Sequence, residues 1–358
     1  MYVSYTDTAT NTSVLKLSKD DVLYENKYKG VISAIWSALG SGFARILDIT
    51  TTINSLNLIN GLNLWLDSND ITTINKKNAA VFNGSNFLLP SGSLAFNYGD
   101  EDFSVTGWVK INGSIGSFES VFGKYTNSSP ANQSYRVSKG ASEQIQFVIS
   151  NGTLTNVVED LTNTITDGEW FFFAAVHDSV NDLIKISVNG NTFVTTAHSG
   201  GANSSYGAAM YIGGIFGNGM NGSIDDLVFH GEALTQSQVT TLYNGGAGLD
   251  MSLYDQTNVD SYFDFNELSG TRYDLVGSND LTESGGAVTV EIGKVQGTVN
   301  DNDNVFSWID KSSNNYIFNQ STGANQPIYN ANGFGLNNRA SLDFRNSSFL
   351  DIVSGSLS

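Results

Sequence analysis

The side chains in this sequence that could do chemistry are mainly oxygen donors. Asp and Glu number 35 against 17 Lys and Arg. Hard carboxylate and amide oxygens make Ca2+ the cation to consider, because it takes about six to eight such ligands. There is no cysteine, so disulfides and thiolate metal sites are excluded. Three histidines, His177, His198 and His230, are too few and too scattered for a zinc site. No G-x-S-x-G elbow accompanies them; His177 and His198 read as surface histidines, and serine chemistry is not expected. Gly217 to Gly222 match G-x-G-x-x-G, but they lead into the strand-like "SIDDLVF". A dinucleotide site needs a helix N-terminus for its pyrophosphate, so this is a glycine-rich turn. Tyr125, Tyr135 and Tyr206 sit in Asn- and Ser-rich stretches, "KYTNSSPANQSYR" and "GGANSSYGAAM". Exposed there, they would stack on a hydroxyl-rich ligand, although such residues also simply make turns. Trp108 and Trp170 lie in alternating apolar runs and are expected in a core.

The totals narrow the partners. A formal charge of −18 argues against nucleic acid, which needs clustered Lys and Arg. The same charge discourages adhesion to anionic membranes. Apolar residues reach 40%, enough for real cores. The opening "MYVSYTDTATNTS" lacks the basic-then-apolar pattern of a signal peptide. One run, Gly30 to Leu47, has about the minimum length of a membrane span. It carries Arg45, three Gly and three Ser, and reads as a short helix or strand pair packed on a neighbouring chain.

The elements that must position these groups are strands. Asn-Gly pairs at 83–84, 112–113, 151–152, 189–190 and 221–222 punctuate the chain, and Asn-Gly suits the positive φ of hairpin turns. In "LIKISVNGNTFVTT", Ile184, Ile186 and Val188 alternate with polar residues before such a turn. Runs such as "FSVTGWVKI" and "EWFFFAAVH" add short strands rich in Val, Ile and Phe. One segment departs from this. "LTQSQVTTLYNGG" (residues 234–246) has Thr235 with Gln238 three residues on, a capping box, then Val239 and Leu242 at helical spacing and glycines to stop it. The reading is all-β, an antiparallel sandwich or jelly roll, with one short helix.

"AAVFNGSNFLLP", "DFSVTGWVKI", "GEWFFFAAVHD", "IKISVNG", "YIGG" and "GSIDDLVFHGEALTQSQVTTLYNGG" follow one another in an order that resembles the laminin-G-like, concanavalin A-like lectin/glucanase superfamily. The resemblance covers about residues 78–248 and implies a two-sheet jelly roll of the type found in phage virion and bacterial surface proteins. Many relatives carry one structural Ca2+. Carried over, its ligands would come from Asp225 or Asp226 with Asp264, Asp274, Asn279 and Asp280. In a regular strand Asp225 and Asp226 point to opposite faces, so only one would reach a given ion. Glycosidases of the superfamily carry a Glu-x-Asp-x-x-Glu pattern on one strand. Here "EDFS", "DFNE" and "IDDL" depart from it, and no catalytic residue is expected.

Two further fragments resemble pieces of the same module. Residues 261–296 look like a head that normally precedes such a body, and here they follow it. Residues 304–352 look like the continuation of "GLNLWLDSND". The expected organisation is therefore nested: an N-terminal attachment or oligomerisation segment (1–60, with a hairpin at 13–28), an outer β-sandwich (61–75 plus 301–358), and an inserted jelly roll (76–300) with its head, 261–296, permuted to its end. Three modules in tandem, the first and last incomplete, are the alternative. Trp65 and Trp308 should share the outer core. The expected function is a non-enzymatic virion structural protein, a fibre, spike or capsid decoration, that binds a glycan or host receptor. It would contact other virion proteins and form a homo-oligomer, with a trimer among the options. A carbohydrate-active enzyme or its binding module, and a bacterial surface adhesin outside the cell, are the alternatives.

Overall fold

The computed structural model describes residues 2–6, 12–16, 74 and 76–354, apart from 93–94, 114–117, 141–142, 216–217, 268, 297–298, 300, 303, 306, 311–316, 321–322, 332–339, 345–347 and 349. Two compact units divide the chain: Met1–Lys76 with Gly297–Ser358, and Lys77–Gln296. The run at 30–47 and Trp65 lie outside the described residues. Strand β1 (Tyr2–Thr6) pairs antiparallel with β2 (Thr12–Lys16); of the expected hairpin at 13–28, residues 17–28 lie outside the described residues.

The unit Lys77–Gln296 is a sandwich of two antiparallel sheets. The first contains β3 (Lys76–Asn83), β5 (Phe103–Ile111), β10 (Trp170–Asp178), β11 (Leu183–Val188), β12 (Val194–Ala197), β16 (Asn221–His230), β17 (Val259–Phe263) and β19 (Thr289–Gln296). Its order is β12-β11-β10-β5-β16-β3-β19, with β17 on β16. The second contains β4 (Phe87–Pro90), β6 (Glu119–Tyr125), β7 (Gln133–Lys139), β8 (Ile145–Ser150), β9 (Thr155–Glu159), β13 (Tyr211–Ile212) and β18 (Leu281–Ser284). Its order is β18-β4-β13-β6-β7-β8-β9. A small hairpin, β14 (Gly214–Ile215) with β15 (Asn218–Gly219), leads into β16. The segment after the helix thus supplies strands to both sheets.

Side-chain alternation builds two apolar layers. Phe171, Phe173 and Ala175 of β10 enter the core between the sheets, where Phe103, Phe122, Phe147 and Phe229 meet them. Phe172, Ala174 and Val176 face the other way, with Trp108. That is why "EWFFFAAVH" is continuously apolar: both faces of the strand are covered. The outer layer is closed by helix α1 (Gln236–Tyr243), through buried Val239 and Leu242. The capping box forms as expected. Thr235 Oγ1 accepts from Gln238 N at 3.3 Å, Gln238 Oε1 accepts from Thr235 N at 2.8 Å, and Asn244 ends the helix in the left-handed region. Trp108 is buried in this layer and Trp170 packs half-buried against it.

The Asn-Gly turns divide by context. Asn189 and Gly190 both take positive φ and turn β11 into β12; Asn151-Gly152 turns β8 into β9. Asn221-Gly222 lies inside β16, opposite Asn83 and Phe82 of β3, because pairing on both sides holds it extended.

The other unit carries β20 (Ser307–Ile309), β21 (Ile317–Asn319) and β24 (Asp351–Ser354) in one sheet, and β22 (Ile328–Asn330) with β23 (Ser341–Asp343) in another. Its core gathers Ile74, Val305, Trp308, Tyr329, Ala340 and Leu342, and Ile74 bridges to Trp308 in antiparallel fashion.

Candidate functional site

Two places in the Lys77–Gln296 unit concentrate polar chemistry. The first is the middle of β16. There the strand exchanges partners on one side, from β3 up to Ile224 to β17 from Leu227, and slips register against β5 between Asp225 and Val228. The slip is a β-bulge, with Asp226 at φ +43. It overturns the expectation that Asp225 and Asp226 face opposite ways, because the extra residue breaks the alternation. Asp225 sits opposite Trp108 in the outer layer, and Asp226 Oδ1 accepts from the hydroxyl of Tyr262, a residue of that same layer.

Both carboxyls are buried. Asp225 Oδ2 accepts from the amides of Lys294 (2.6 Å) and Val295 (2.8 Å) on β19, while Asp225 Oδ1 and Asp226 Oδ2 have no partner. Burial raises the Asp226 pKa to about 7, against the opposing pull of the Lys77 ammonium and the Tyr262 hydroxyl. Burial, then the neighbouring Asp226 charge, pushes Asp225 well above the usual carboxylate range. Burial works against the charge of Lys77, yet Asp226, Asp250, Asp264 and Asp225 together outweigh it and raise its pKa. Lys77 Nζ lies 3.4 Å from Asp250 Oδ1 and 3.3 Å from the Tyr262 hydroxyl.

The remaining expected Ca2+ ligands do not converge on this centre. Asp264 binds the backbone N–H and side-chain amide of Asn266. Asp274 Oδ1 accepts from the amides of Tyr262, Val276 and Gly277, and its Oδ2 from Ser261 and the amide of Asn279. Asp280 Oδ1 accepts from Asp274 N, and Asn279 Nδ2 donates to Ser261 Oγ. These oxygens are spent on turn amides at the backbone end of Tyr262, while its hydroxyl end serves Asp226. Among the described residues no group of three or more His, Asp or Glu side chains is set to hold a metal ion. Two unpartnered oxygens beside a lysine ammonium do not make a Ca2+ cage.

The second place is the rim where β6 ends. Tyr125 is the last residue of β6, and Tyr206 reaches the same strand end: its hydroxyl bonds Thr126 Oγ1, the residue after Tyr125. Both rings are half-buried. Tyr135 is a correction. It lies in β7 at 1% exposure, with its hydroxyl donating to the Phe96 carbonyl at 2.8 Å. Its neighbours looked like loop, but the alternation of Tyr135 and Val137 turns both into the core. Arg136, between them, faces the other way. Its guanidinium lies 4.7 Å from the Tyr125 ring and 5.4 Å from the Phe118 ring, and Nη1 donates to Gln133 Oε1 at 2.7 Å. Below the rim, Lys124 Nζ donates to the Ala95 carbonyl and Asn97 Oδ1, and Asn97 Nδ2 donates to the Ser204 carbonyl. Burial lowers the Lys124 pKa to about 8. The loop after Thr126 exposes Asn127 and Asn132, joined by a 3.2 Å hydrogen bond. Arg136, Thr126 and Asn97 were missed from sequence. The arginine in "QSYRVSK" was the available signal, being a cation on the polar face of a strand.

Residues 82–240 match the family model described as the concanavalin A-like lectin/glucanases superfamily. This stretch is a concanavalin A-like, laminin-G-type module. No curated protein sequence matches the chain significantly. Among solved structures the chain is similar to a Bacteroides ovatus protein to which carbohydrate binding is provisionally ascribed, at 14% identity and a TM-score of 0.48, covering 63% of each chain. It is also similar to a heptameric SAP-like pentraxin of Limulus polyphemus, at 17% identity and a TM-score of 0.41, over 64% of this chain and 99% of that one. A third is the CBM40 of a Ruminococcus gnavus IT-sialidase bound to α2,3-sialyllactose, at 15% identity and a TM-score of 0.34, over 40% of this chain and 83% of that one.

In the concanavalin A-like module the paired carboxyls with raised pKa values, Asp225 and Asp226, are 0% and 5% exposed. Hydrolysis of a glycoside needs two carboxyls flanking the scissile bond, and a substrate cannot reach this pair. The histidines correct the expectation of surface residues. His177 is fully buried, with Nδ1 2.8 Å from the Glu101 carbonyl; His198 is 2% exposed, held by Asn156 Oδ1 and the Gly201 carbonyl. Burial drives His230 down to about 3, so it is neutral beside Thr106. Loop packing at the ends of β10 and β12 covers the first two; a strand end is not a surface when another loop lies over it.

Proposed function

We propose that the concanavalin A-like module is a non-catalytic glycan-binding domain, with its site at the Tyr125–Tyr206 rim. One observation carries the reading. A half-buried aromatic ring, with a guanidinium 4.7 Å from its centre, ends a strand that runs on into exposed hydroxyl and amide groups, those of Thr126, Asn127 and Asn132. Sugars are bound by such combinations, a flat apolar face for the ring and polar groups that fix orientation. The test is titration of the intact chain with an oligosaccharide panel. Tyr125→Ala should weaken the best ligand about tenfold, consistent with loss of roughly 1–2 kcal/mol of stacking. Unchanged affinity would move the site elsewhere; no binding to any glycan would remove the reading.

The same proposal has the module displayed on a virion, as a fibre, spike or decoration, in a homo-oligomer with other virion proteins. Negative charge and a cysteine-free, strand-rich chain are compatible with that setting. Antibody-labelled negative-stain imaging decides it. Label on particles supports the proposal, and label on cell surfaces would turn it to an adhesin.

A further inference from the structure

Arg136 is out of keeping with the charge pattern around it. The chain has twice as many acids as bases, and five described cations lie 2.6–3.4 Å from a carboxylate oxygen: Lys77, Lys110, Lys139, Lys185 and Arg272. Arg136 has no such partner among the described residues. Its neighbours are two aromatic rings and the Gln133 amide, and its Nε is buried with no hydrogen-bond acceptor. Burial lowers its pKa and only Tyr125 counteracts this; no carboxylate contributes. Lys124, on the adjacent strand, is likewise held by a carbonyl and an amide oxygen alone.

An unpaired cation withdrawn from water costs stability, because lost hydration is not replaced by an opposite charge. In a chain so rich in acids, a compensating carboxylate would be easy to provide. The Phe118 and Tyr125 rings lie 5.4 and 4.7 Å from the guanidinium, Nε is enclosed and Nη1 is given to Gln133, so Nη2 is the nitrogen through which an anionic oxygen would be met. The long-range field of a protein at −18 opposes anions, but salt screens it beyond about 8 Å at physiological ionic strength. Attraction at the rim is therefore local.

We infer that Arg136 is an anion-recognition residue of the rim, and that the glycan bound there carries a carboxylate or a sulfate ester next to the sugar ring that stacks on Tyr125. This rests on the glycan-binding reading above and names the class of ligand within it.

Matched oligosaccharides test it: a neutral backbone, the same backbone with a uronic or sialic acid residue, and a sulfated counterpart, each titrated against the intact chain. An acidic member should bind roughly tenfold or more tightly than the neutral one, as expected for a charge-assisted pair. The carboxylated and sulfated arms separate the two sources of negative charge. Arg136→Gln should bring acidic and neutral affinities together, and Arg136→Lys should fall between, because it keeps the charge and loses the planar guanidinium that lies against the rings. If Arg136→Gln does not fold, carboxyl-reduced or desulfated glycans against the native chain give the same comparison. Equal affinities for neutral and acidic members overturn the inference and leave glycan binding standing. Absence of binding to every member removes the site itself.

Discussion

Asp226 occupies a position where a negative charge is hard to keep. Its backbone is left-handed, its carboxyl is buried, and a second carboxyl is its sequence neighbour. Burial raises its pKa from 3.8 to about 7. The unfolded chain releases this proton near pH 4 and the folded chain near pH 7. Between those values the folded state binds more protons, so stability falls as pH rises, by up to about 1.4 kcal/mol per pH unit for one such group. Above about pH 7 the contribution is gone. Asp226→Asn keeps the oxygen that accepts from Tyr262 and removes the charge. It should flatten the pH dependence of the denaturation midpoint between pH 4 and 7 and unfold at higher denaturant than the native chain at pH 8. Superimposable profiles for the two proteins would show that the pair does not titrate in this way. Because Asp225 loses a repelling neighbour, its pKa should fall too, and a residual slope belongs to it.

At the scale of elements, helix α1 depends on its first turn. Eight residues are too few for a helix to persist by propensity alone. The Thr235–Gln238 box and the burial of Val239 and Leu242 hold it over the first sheet. Thr235→Ala should cost about 1 kcal/mol, seen as a lower midpoint with unchanged slope in urea unfolding; no shift would mean that packing alone suffices. This helix was legible in the sequence because a capping box and helical spacing are local signals. The same is true of the β11–β12 turn at Asn189-Gly190. What was not legible depends on partners distant in the chain. The bulge at Asp226 arises because β16 must serve β3, β17 and β5 in turn. Tyr135 could be placed in the core only by knowing that "QSYRVSK" is a central strand between β6 and β8. The rim likewise joins Thr126, beside Tyr125, to Tyr206 across 80 residues of chain. Composition around each tyrosine indicated exposure for all three, and two are half-buried, Tyr125 at the end of β6 and Tyr206 in the loop before β13.

For the molecule as a whole, the division of the chain is the fact to explain. One compact unit takes both chain ends and the other takes the middle. We propose that this division reflects insertion, an outer β domain interrupted by a jelly roll of similar type whose head strands come last. Strands β17, β18 and β19, late in the chain, complete sheets begun by β3 and β4. The middle unit has its own two-layered core, so residues 77–296 expressed alone should fold cooperatively, with dispersed amide resonances and a single unfolding transition. A collapsed or unfolded product would mean that the outer segments are required and would end the insertion proposal. Within that unit the first and last strands, β3 and β19, are neighbours in one sheet, and Gly293 of β19 approaches the carbonyl of Asn78 in β3. A segment that begins and ends in adjoining strands can be cut from one gene and spliced into a surface loop of another without leaving either sheet unfinished. Recombination then acts on such a module as a single transferable cassette, whichever strand its reading frame happens to translate first.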